Sequence, residues 1–284
     1  TTGELLQELC GEFGEPFADS SAIPTFFVSR AMRAQCKAVL SGDGGDELFG
    51  GYWEYPAATF GDELLAKHPG LPSRWIARTT DMVLRNAFGR ISPAGMPVGH
   101  ALDFVGLPGY QILHRNMGFH PDKMARLYRR EFAPLANGFA RRELERQWAR
   151  ALQPTVADTL FEASLRGRLL NDYLVKIDRA SMAASLEVRA PFLDRSLLEF
   201  AFRLPASLKL PGHSRKGLLR QIAGRRLGDE IANGKKRGFG IPMGQLLRGK
   251  LRSFVHDHLS SASVLARSFF DDAAVQRLLN QHDA

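Results

Sequence analysis

The chain has 284 residues, of which 44% are hydrophobic and 24% charged, which is enough apolar sequence to bury a core as one or two domains. It contains no run of about 18 apolar residues that would predict a transmembrane helix, and no basic start followed by an apolar stretch that would indicate a signal peptide. The net charge of +8 is compatible with nucleic acid binding, but the basic residues are scattered among acids without interleaved aromatic residues. We therefore expect a cytoplasmic protein with a solvated basic surface that favours anionic substrates, and with no nucleic acid or membrane partner.

Helical patterns dominate the chain, and apolar periodicity predicts helices over residues 3–10, 25–36, 73–88, 122–131, 156–172, 199–226 and 270–282. Thr155 and Asp158 are candidates for the cap of the helix that starts at 156. One strand is predicted, over residues 37–41. Because a parallel sheet needs partner strands, long helical crossovers are its natural setting. Cys10 and Cys36 are too few for a disulfide framework or a zinc site, and we expect both to be reduced on helix faces.

Residues 37–52 carry the strongest functional signal in the chain. The apolar run 38–40 is typical of the end of a buried strand. Three glycines follow, which allow a tight turn and the close approach of a ligand to the backbone: Gly42, Gly44 and Gly45. A strand, a glycine turn and a helix start together point backbone N–H groups at an anion.

Three carboxylates lie in the same turn: Asp43, Asp46 and Glu47. Asp46 and Glu47 suit the first turn of a helix, and the cluster suits a site that holds Mg²⁺ or handles an amine. The segment matches neither the dinucleotide fingerprint nor the Walker loop. From spacing alone, a glycine-rich turn with solvated acids remains an alternative.

Residues 41–52 read SGDGGDELFGGY, which resembles the signature of the synthetase domain of glutamine-dependent asparagine synthetases. Further blocks resemble the same family in the same order, at residues 15–25, 178–182, 186–194 and 235–242. The blocks span residues 10–255, with a poorly matching stretch over 55–155.

The resemblance implies an α/β fold: a helix-rich, parallel-sheet domain like the adenine nucleotide hydrolases, also called PP-loop ATP pyrophosphatases. The family's pyrophosphate loop, Ser-Gly-Gly-Xaa-Asp-Ser, and its glutaminase half lie upstream of the block that begins at Glu15, so we expect an N-terminally truncated domain. Residues 1–284 would then form part of a synthetase domain. Residues 1–52 would hold the sheet and the substrate turn, 53–155 a helical insertion, and 156–284 a helical part with the catalytic loop.

The activity that the resemblance implies has two steps. ATP adenylates the side-chain carboxylate of aspartate, and ammonia from glutamine then forms asparagine, with AMP and pyrophosphate as co-products and Mg²⁺ as the metal. Two alternatives stay open: a fragment without catalytic activity, and a paralogue that amidates another carboxylate in polysaccharide or secondary metabolism. A homodimer is left open as the assembly.

By similarity, Asp46 is the Mg²⁺ ligand and Lys236 steadies the pentavalent phosphorus and the leaving pyrophosphate. The run Lys235–Arg237 leads into glycines, which is typical of a flexible basic loop, although a solvated charge run is the alternative. Lys236 is preferred to Lys235 because Phe239 follows it at the family spacing.

Asp43 occupies a position where many family members carry glutamate, which implies substrate handling and deprotonation of the attacking amine. Backbone N–H groups of the three glycines would hold an anionic oxygen. Ser41 and Glu47 are expected to close the turn and cap the helix. Direct contact is left open for both, with Ser41 contacting the nucleotide and Glu47 contacting the substrate.

Tyr52 and Glu187 match the catalytic dyad of the related β-lactam synthetases. Core packing of Tyr52, and an ion pair of Glu187 with Arg189 or Arg179, are the alternatives.

The resemblance also places Arg179 near the substrate, with Asp178 orienting it. The turn Asp19-Ser20-Ser21 would cap the helix after Pro24 and present hydroxyls to the substrate. Asp194 is expected to cap the helix that follows it.

Overall fold

The computed structural model describes residues 2–67, 126–151, 153–234, 239–259 and 268–283. The elements, in chain order, are α1 (Thr2–Phe13), α2 (Ala22–Arg33), β1 (Ala38–Leu40), α3 (Gly45–Phe49), α4 (Glu54–Lys67), α5 (Ala133–Arg150), α6 (Val156–Ser164), a π-helix (Leu165–Tyr173), α7 (Leu174–Met182), β2 (Glu187–Arg189), a 3₁₀ turn (Pro191–Leu193), α8 (Arg195–Arg203), α9 (Ala206–Lys209), a second 3₁₀ turn (Pro211–His213), α10 (Gly217–Leu227), α11 (Asp229–Ala232), α12 (Met243–Arg248), α13 (Arg252–Leu259) and α14 (Asp272–Asp283). The helix predicted over 73–88 lies outside the described residues, as do residues 122–125 of the one over 122–131. Of the remaining residues of that second helix, 126 and 127 are helical and 128–131 are not. No described helix is both long enough and apolar enough to cross a bilayer.

The two strands form a parallel pair, so the predicted helix-rich α/β fold with a parallel sheet is confirmed. Val39 lies opposite Val188, and the chain between the strands includes helical crossover segments. The Ser41 N–H donates to the Arg189 carbonyl at 2.8 Å and extends the pairing into the turn. The expectation of a buried strand is wrong for this chain, because the Leu40 side chain is 75% exposed and only β2 pairs with β1 among the described residues.

The core gathers around the short helix α3, which immediately follows the glycine turn. Leu48 is 1% exposed and packs with Phe49, Leu165 and Leu169. A neighbouring cluster is centred on Tyr55 and Phe161, whose rings stack with centroids 4.2 Å apart. Fully burying a leucine contributes about 2 kcal/mol, so the functional turn is held in place by the packing of the helix that follows it.

The helix predicted over 156–172 begins where it was expected to begin. The Asp158 N–H donates to the Thr155 hydroxyl at 3.0 Å, and the Asp62 carboxylate accepts from the Val156 and Ala157 N–H groups. The cap prediction is therefore confirmed. Beyond α6 the chain widens into nine residues of π-helix, a rare geometry that is frequent at functional sites.

The single helix predicted over 199–226 is wrong. α8 ends at Arg203, and Pro205 and Pro211 break the segment, since proline removes an N–H donor and cannot continue a helix. The predicted cap at Asp194 is confirmed, because its carboxylate accepts from the N–H groups of Ser196 and Leu197.

Candidate active site

The glycine turn packs against the 3₁₀ turn Pro191–Leu193. Gly44 has φ +86°, and a Cβ there would overlap the Leu193 side chain. A Cβ on Gly45 would lie 3.3 Å from the Phe192 ring. Only glycine fits at Gly44, because the left-handed backbone and the close packing each exclude a side chain. Leu193 and Phe192 therefore pack against the turn and restrict its backbone conformation.

The three carboxylates of the turn have different surroundings. Asp43 is partly exposed, and its N–H lies 3.5 Å from the Ser41 hydroxyl. Asp46 faces a lysine, whereas Glu47 points into the core and is 2% exposed. The three carboxylates lie close together, as the sequence predicted, but each contacts different side chains.

Asp46 forms an ion pair with Lys216, whose Nζ lies 3.0 Å from Asp46 Oδ1. Lys216 has a left-handed backbone with φ 53°, and its N–H donates to the Gly50 carbonyl at 3.1 Å. A Cβ on Gly51 would overlap Asp46 Oδ1 and lie 2.6 Å from Lys216 Cε. Gly51 therefore makes the room that the ion pair occupies. Strained backbone of this kind is found where surrounding structure holds a functional side chain.

Glu47 is bonded to Tyr52, whose hydroxyl donates to Glu47 Oε1 at 2.7 Å. Burial raises the pKa of Glu47, and the bond from Tyr52 opposes that rise. Burial and the neighbouring Glu47 carboxylate raise the pKa of Tyr52 well above its ordinary value. Tyr52 is therefore a protonated donor at neutral pH.

The π-helix contributes two side chains to this cluster. The Arg168 guanidinium lies 5.2 Å from the Tyr52 ring centroid and pairs with Glu54 at 3.2 Å. The Tyr173 ring centroid lies 6.2 Å from that of Tyr52. Arg168 thus adds positive charge close to the buried Glu47.

Asp19 is tied to helix α7 by Lys176, whose Nζ lies 2.7 Å from Asp19 Oδ2. Burial acts to raise the pKa of Asp19, but hydrogen bonds from Lys176 and Ser21 outweigh it and lower that pKa. Asp172 lies near the pair, and burial raises its pKa. Its Oδ1 atom is buried and has no hydrogen-bond partner within the described part of the chain. The helix α2 starts at Ala22, two residues before Pro24.

The remaining predicted residues lie apart from this cluster or outside the description. Glu187 is half exposed on β2 and pairs with Arg189 at 2.8 Å, so the structure gives Tyr52 and Glu187 different partners. Arg179 has an exposed side chain on α7, and Ser20 is partly exposed in its turn. Residues 235–238, with the predicted catalytic Lys236, lie outside the described residues.

Sequence reasoning missed Lys216, which pairs with Asp46, and Arg168 and Tyr173, which lie beside Tyr52. It also missed Lys176, which pairs with Asp19. Arg168 and Lys176 flank the sequence LLNDYLV, whose mixed polarity gives neither side chain a clear periodic signal. Lys216 had only the basic Ser-Arg-Lys-Gly run, which a solvated surface also produces.

The donor set around Asp46 fits one mode of magnesium binding. Within the described residues no group of three or more His, Cys, Asp or Glu side chains forms a metal cage. Mg²⁺ is commonly held by one or two carboxylates together with substrate phosphates, and a partly exposed Asp46 beside a glycine turn meets that requirement.

Comparison with known proteins agrees with this geometry. The Asparagine synthase family matches residues 3–284. The chain is 31% identical to a "Putative asparagine synthetase (glutamine-hydrolyzing)" of Mycobacterium tuberculosis H37Rv, over 98% of this chain and 40% of the relative. It is 27% identical to "Asparagine synthetase (glutamine-hydrolyzing) 1" of Bacillus subtilis 168, over 98% of this chain and 42% of the relative. It is 23% identical to "Amidase chry2" of Gibberella zeae, over 92% of this chain and 40% of the relative.

The chain thus spans about two fifths of the length of these curated relatives. No solved structure is significantly similar to it. The family match over nearly the whole chain also confirms the expected adenine-nucleotide-hydrolase-like fold class. A glycine turn that carries an ion-paired aspartate, and a match over residues 3–284, together show that the chain belongs to the asparagine synthase family of ligases.

Proposed function

We propose that this protein uses ATP to activate a carboxylate and converts it to an amide. An oxygen of the substrate carboxylate attacks the α-phosphorus of ATP, and the bond from that phosphorus to pyrophosphate breaks. The nitrogen of ammonia then attacks the carbonyl carbon of the acyl-adenylate, loses one proton, and AMP leaves. The ion pair of Asp46 and Lys216, 3.0 Å apart beside the glycine turn, is the observation that carries the proposal.

This pair supplies both charges that a nucleotide site needs. Lys216 would turn from Asp46 to a phosphate oxygen of ATP, and the backbone N–H groups of the glycine turn would hold another anionic oxygen. Asp46 would then be released to hold Mg²⁺ together with the phosphates. When bound, the metal would neutralise phosphate charge and polarise the phosphorus centre.

Lys236 is proposed to act on the leaving pyrophosphate. A fixed cation there is worth more in the transition state than in the ground state, so Lys236→Ala should lower kcat by roughly 10²-fold with little change in the KM for ATP. Lys235→Ala is the matched control and should retain near-normal kcat. The reverse result would move the role to Lys235, and two active variants would remove the catalytic role from this basic run.

Asp43 and Glu47, the other two acids of the turn, have different proposed roles. Tyr52 holds its proton because its pKa is raised, and Glu47 is buried beneath it, so neither suits proton removal from ammonia. We assign that step to Asp43, which is partly exposed and lies in the same turn. Glu47 and Tyr52 would act as positioning residues for the helix that carries Asp46.

Aspartate is the proposed carboxylate, with glutamine as the source of ammonia. Arg179 is exposed on α7 and would pair with a substrate carboxylate. Asp172 carries a buried oxygen without a hydrogen-bond partner in the described chain, which suits the substrate ammonium group. A different carboxylate is the second candidate. Residues 15–25 contain no arginine that could pair with a carboxylate of aspartate, and Lys176 is already paired with Asp19.

The test is an assay of the full-length protein with ATP, MgCl₂ and ammonium chloride or glutamine. Aspartate, glutamate and malate would be supplied in turn, and AMP, pyrophosphate and the amide would be measured. Equal amounts of AMP and amide with aspartate support the proposal, and Lys216→Ala should reduce both. Activity with malate but not aspartate would transfer the assignment to a carboxylate without an amine. ATP cleavage to ADP, or no nucleotide cleavage with any of the acids, would refute adenylation.

A further inference from the structure

A cavity lies on the core side of helix α3. It has a volume of about 210 Å³. Apolar side chains that include Leu48, Phe161 and Leu165 line part of it, and the polar side chains of Gln153, Asp158, Arg203 and Lys209 line the rest. Leu48 directly follows Glu47 in the sequence and is 1% exposed. The cavity is therefore bounded by the same helix that carries the acids of the turn, and it is lined by residues that the proposed adenylation does not use.

One wall of this cavity is Lys209, which is only 4% exposed. Its Nζ lies 4.1 Å from the centroid of the Phe161 ring. Within the described part of the chain its ammonium group makes no hydrogen bond and no ion pair. Lysines are almost never fully buried unless they are paired, because an unpaired charge in an apolar surrounding is costly. Burial lowers the pKa of Lys209 to about 8, in agreement with this isolation.

Both carboxylate oxygens of Asp158, the acid nearest to Lys209, already accept hydrogen bonds from other groups. Asp158 attracts the ammonium through space, but its Oδ1 accepts from the Ala206 N–H at 2.9 Å. Its Oδ2 accepts from the Thr155 hydroxyl at 2.7 Å. Asp158 thus caps α6 and fastens the start of α9, and it forms no direct ion pair with Lys209.

We propose that this cavity binds a small organic monocarboxylate with an apolar body, whose carboxylate group pairs with Lys209. The unpaired buried cation calls for one anionic group, and the leucine and phenylalanine walls call for an apolar remainder.

The size of the cavity limits the ligand further. A dry cavity of about 150 Å³ holds benzene, so about 210 Å³ accommodates a ring or a branched chain that bears one carboxylate. Arg203 also lines the cavity and adds a second positive charge at its exposed edge. Since Asp158 also lines the cavity, the two cations leave one formal positive charge in excess, which favours a single carboxylate beside an apolar group.

The test uses benzoate as the probe and benzyl alcohol as a neutral molecule of similar size. Binding to the full-length protein would be measured by isothermal titration calorimetry and by NMR of ¹³C-methylated lysines. Benzoate is expected to bind at least tenfold more tightly than benzyl alcohol or acetate, and to shift one lysine signal that is absent from Lys209→Met. Lys209→Met should lose at least tenfold in benzoate affinity, whereas Lys250→Met, at an exposed lysine, should lose none.

Two further variants make the result decisive. Lys209→Arg keeps the charge and should retain measurable benzoate binding if it folds, as judged by circular dichroism. Lys216→Ala should leave benzoate binding unchanged, which separates this cavity from the nucleotide site. Equal benzoate affinity of the native protein and Lys209→Met, loss of binding in Lys216→Ala, or no binding at millimolar benzoate would each overturn the proposal. Because none of these measurements involves ATP, the outcome is independent of the proposed amide synthesis.

Discussion

Replacing Lys209 by methionine should stabilise the protein at neutral pH. Methionine matches the unbranched lysine side chain as far as Cε and removes the amine, so most of the packing beside Phe161 is kept while the buried charge is lost. Burial lowers the pKa of this amine from 10.5 to about 8. Below pH 8 the amine is charged in the folded and the unfolded protein, and folding bears the whole cost of burying the charge. Above pH 10.5 it is neutral in both states and the cost vanishes.

The pKa difference fixes the size of the effect. The cost amounts to about 3 kcal/mol at pH 7 and to less than about 1 kcal/mol at pH 10. The contact of the ammonium with the Phe161 ring, 4.1 Å away, offsets about 1 kcal/mol of this cost. Lys209→Met should therefore raise the free energy of unfolding by about 2 kcal/mol at pH 7, and the gain should shrink as the pH rises towards 10.

Urea unfolding followed by circular dichroism at pH 7 and pH 10 measures this difference. The native protein, Lys209→Met and the exposed-site control Lys250→Met share the other ionisable groups, so their differences isolate the single amine. A Lys209→Met protein that is no more stable than the native one at pH 7 would show that the ammonium is well solvated. A gain of equal size at both pH values would show that packing, and not charge, is responsible.

Three further substitutions test the site. Gly51→Ala places a Cβ on Asp46 Oδ1, so kcat should fall by about 10²-fold and the Mg²⁺ requirement should rise while the circular dichroism spectrum is unchanged; normal kinetics would contradict the crowding. Tyr52→Phe removes the bond to the buried Glu47 carboxylate and should cost about 1–3 kcal/mol of stability at pH 7. Since burial raises the pKa of Glu47, lowering the pH protonates that group in the folded state first, and the cost in urea unfolding should diminish as the pH falls towards that raised pKa. Lys216→Ala should raise the KM for ATP about tenfold, and an unchanged KM in steady-state assays would leave the lysine a structural partner of Asp46.

Local hydrogen bonds made parts of the fold predictable. The caps at Thr155 and Asp194 join a side chain to backbone N–H groups two or three residues ahead. They can therefore be predicted from a few neighbouring residues. The strand β2 was not predicted, because three residues with alternating charge become a strand only when β1 lies beside them. The π-helix was also missed, since its apolar positions fit an α-helical pattern equally well.

Only the part of the site that lies in the glycine turn was predictable from the sequence. Gly44, Asp46 and Glu47 stand in one motif, and their resemblance to a family carried their expected roles. Lys216 lies far along the chain, and its position beside Asp46 depends on a left-handed backbone and on the space left by Gly51. Neither property has a signature in hydrophobic periodicity, so tertiary packing alone reveals the partner.

The division of the three acids explains why one short turn can serve several purposes. Identical carboxylate chemistry is differentiated by surroundings: Asp43 is open to a substrate, Asp46 is paired with a cation, and Glu47 is buried beneath Tyr52. The glycines on either side of α3 make this possible, because Gly44 fits tightly over Leu193 and Gly51 leaves room for the cation. A Cβ at Gly44 would overlap Leu193, and a Cβ at Gly51 would overlap Asp46 Oδ1, so a larger side chain at either glycine would disturb the turn or the helix that carries Asp46 and Glu47. The spacing of the glycines therefore sets the chemistry of the turn as directly as the acids themselves do.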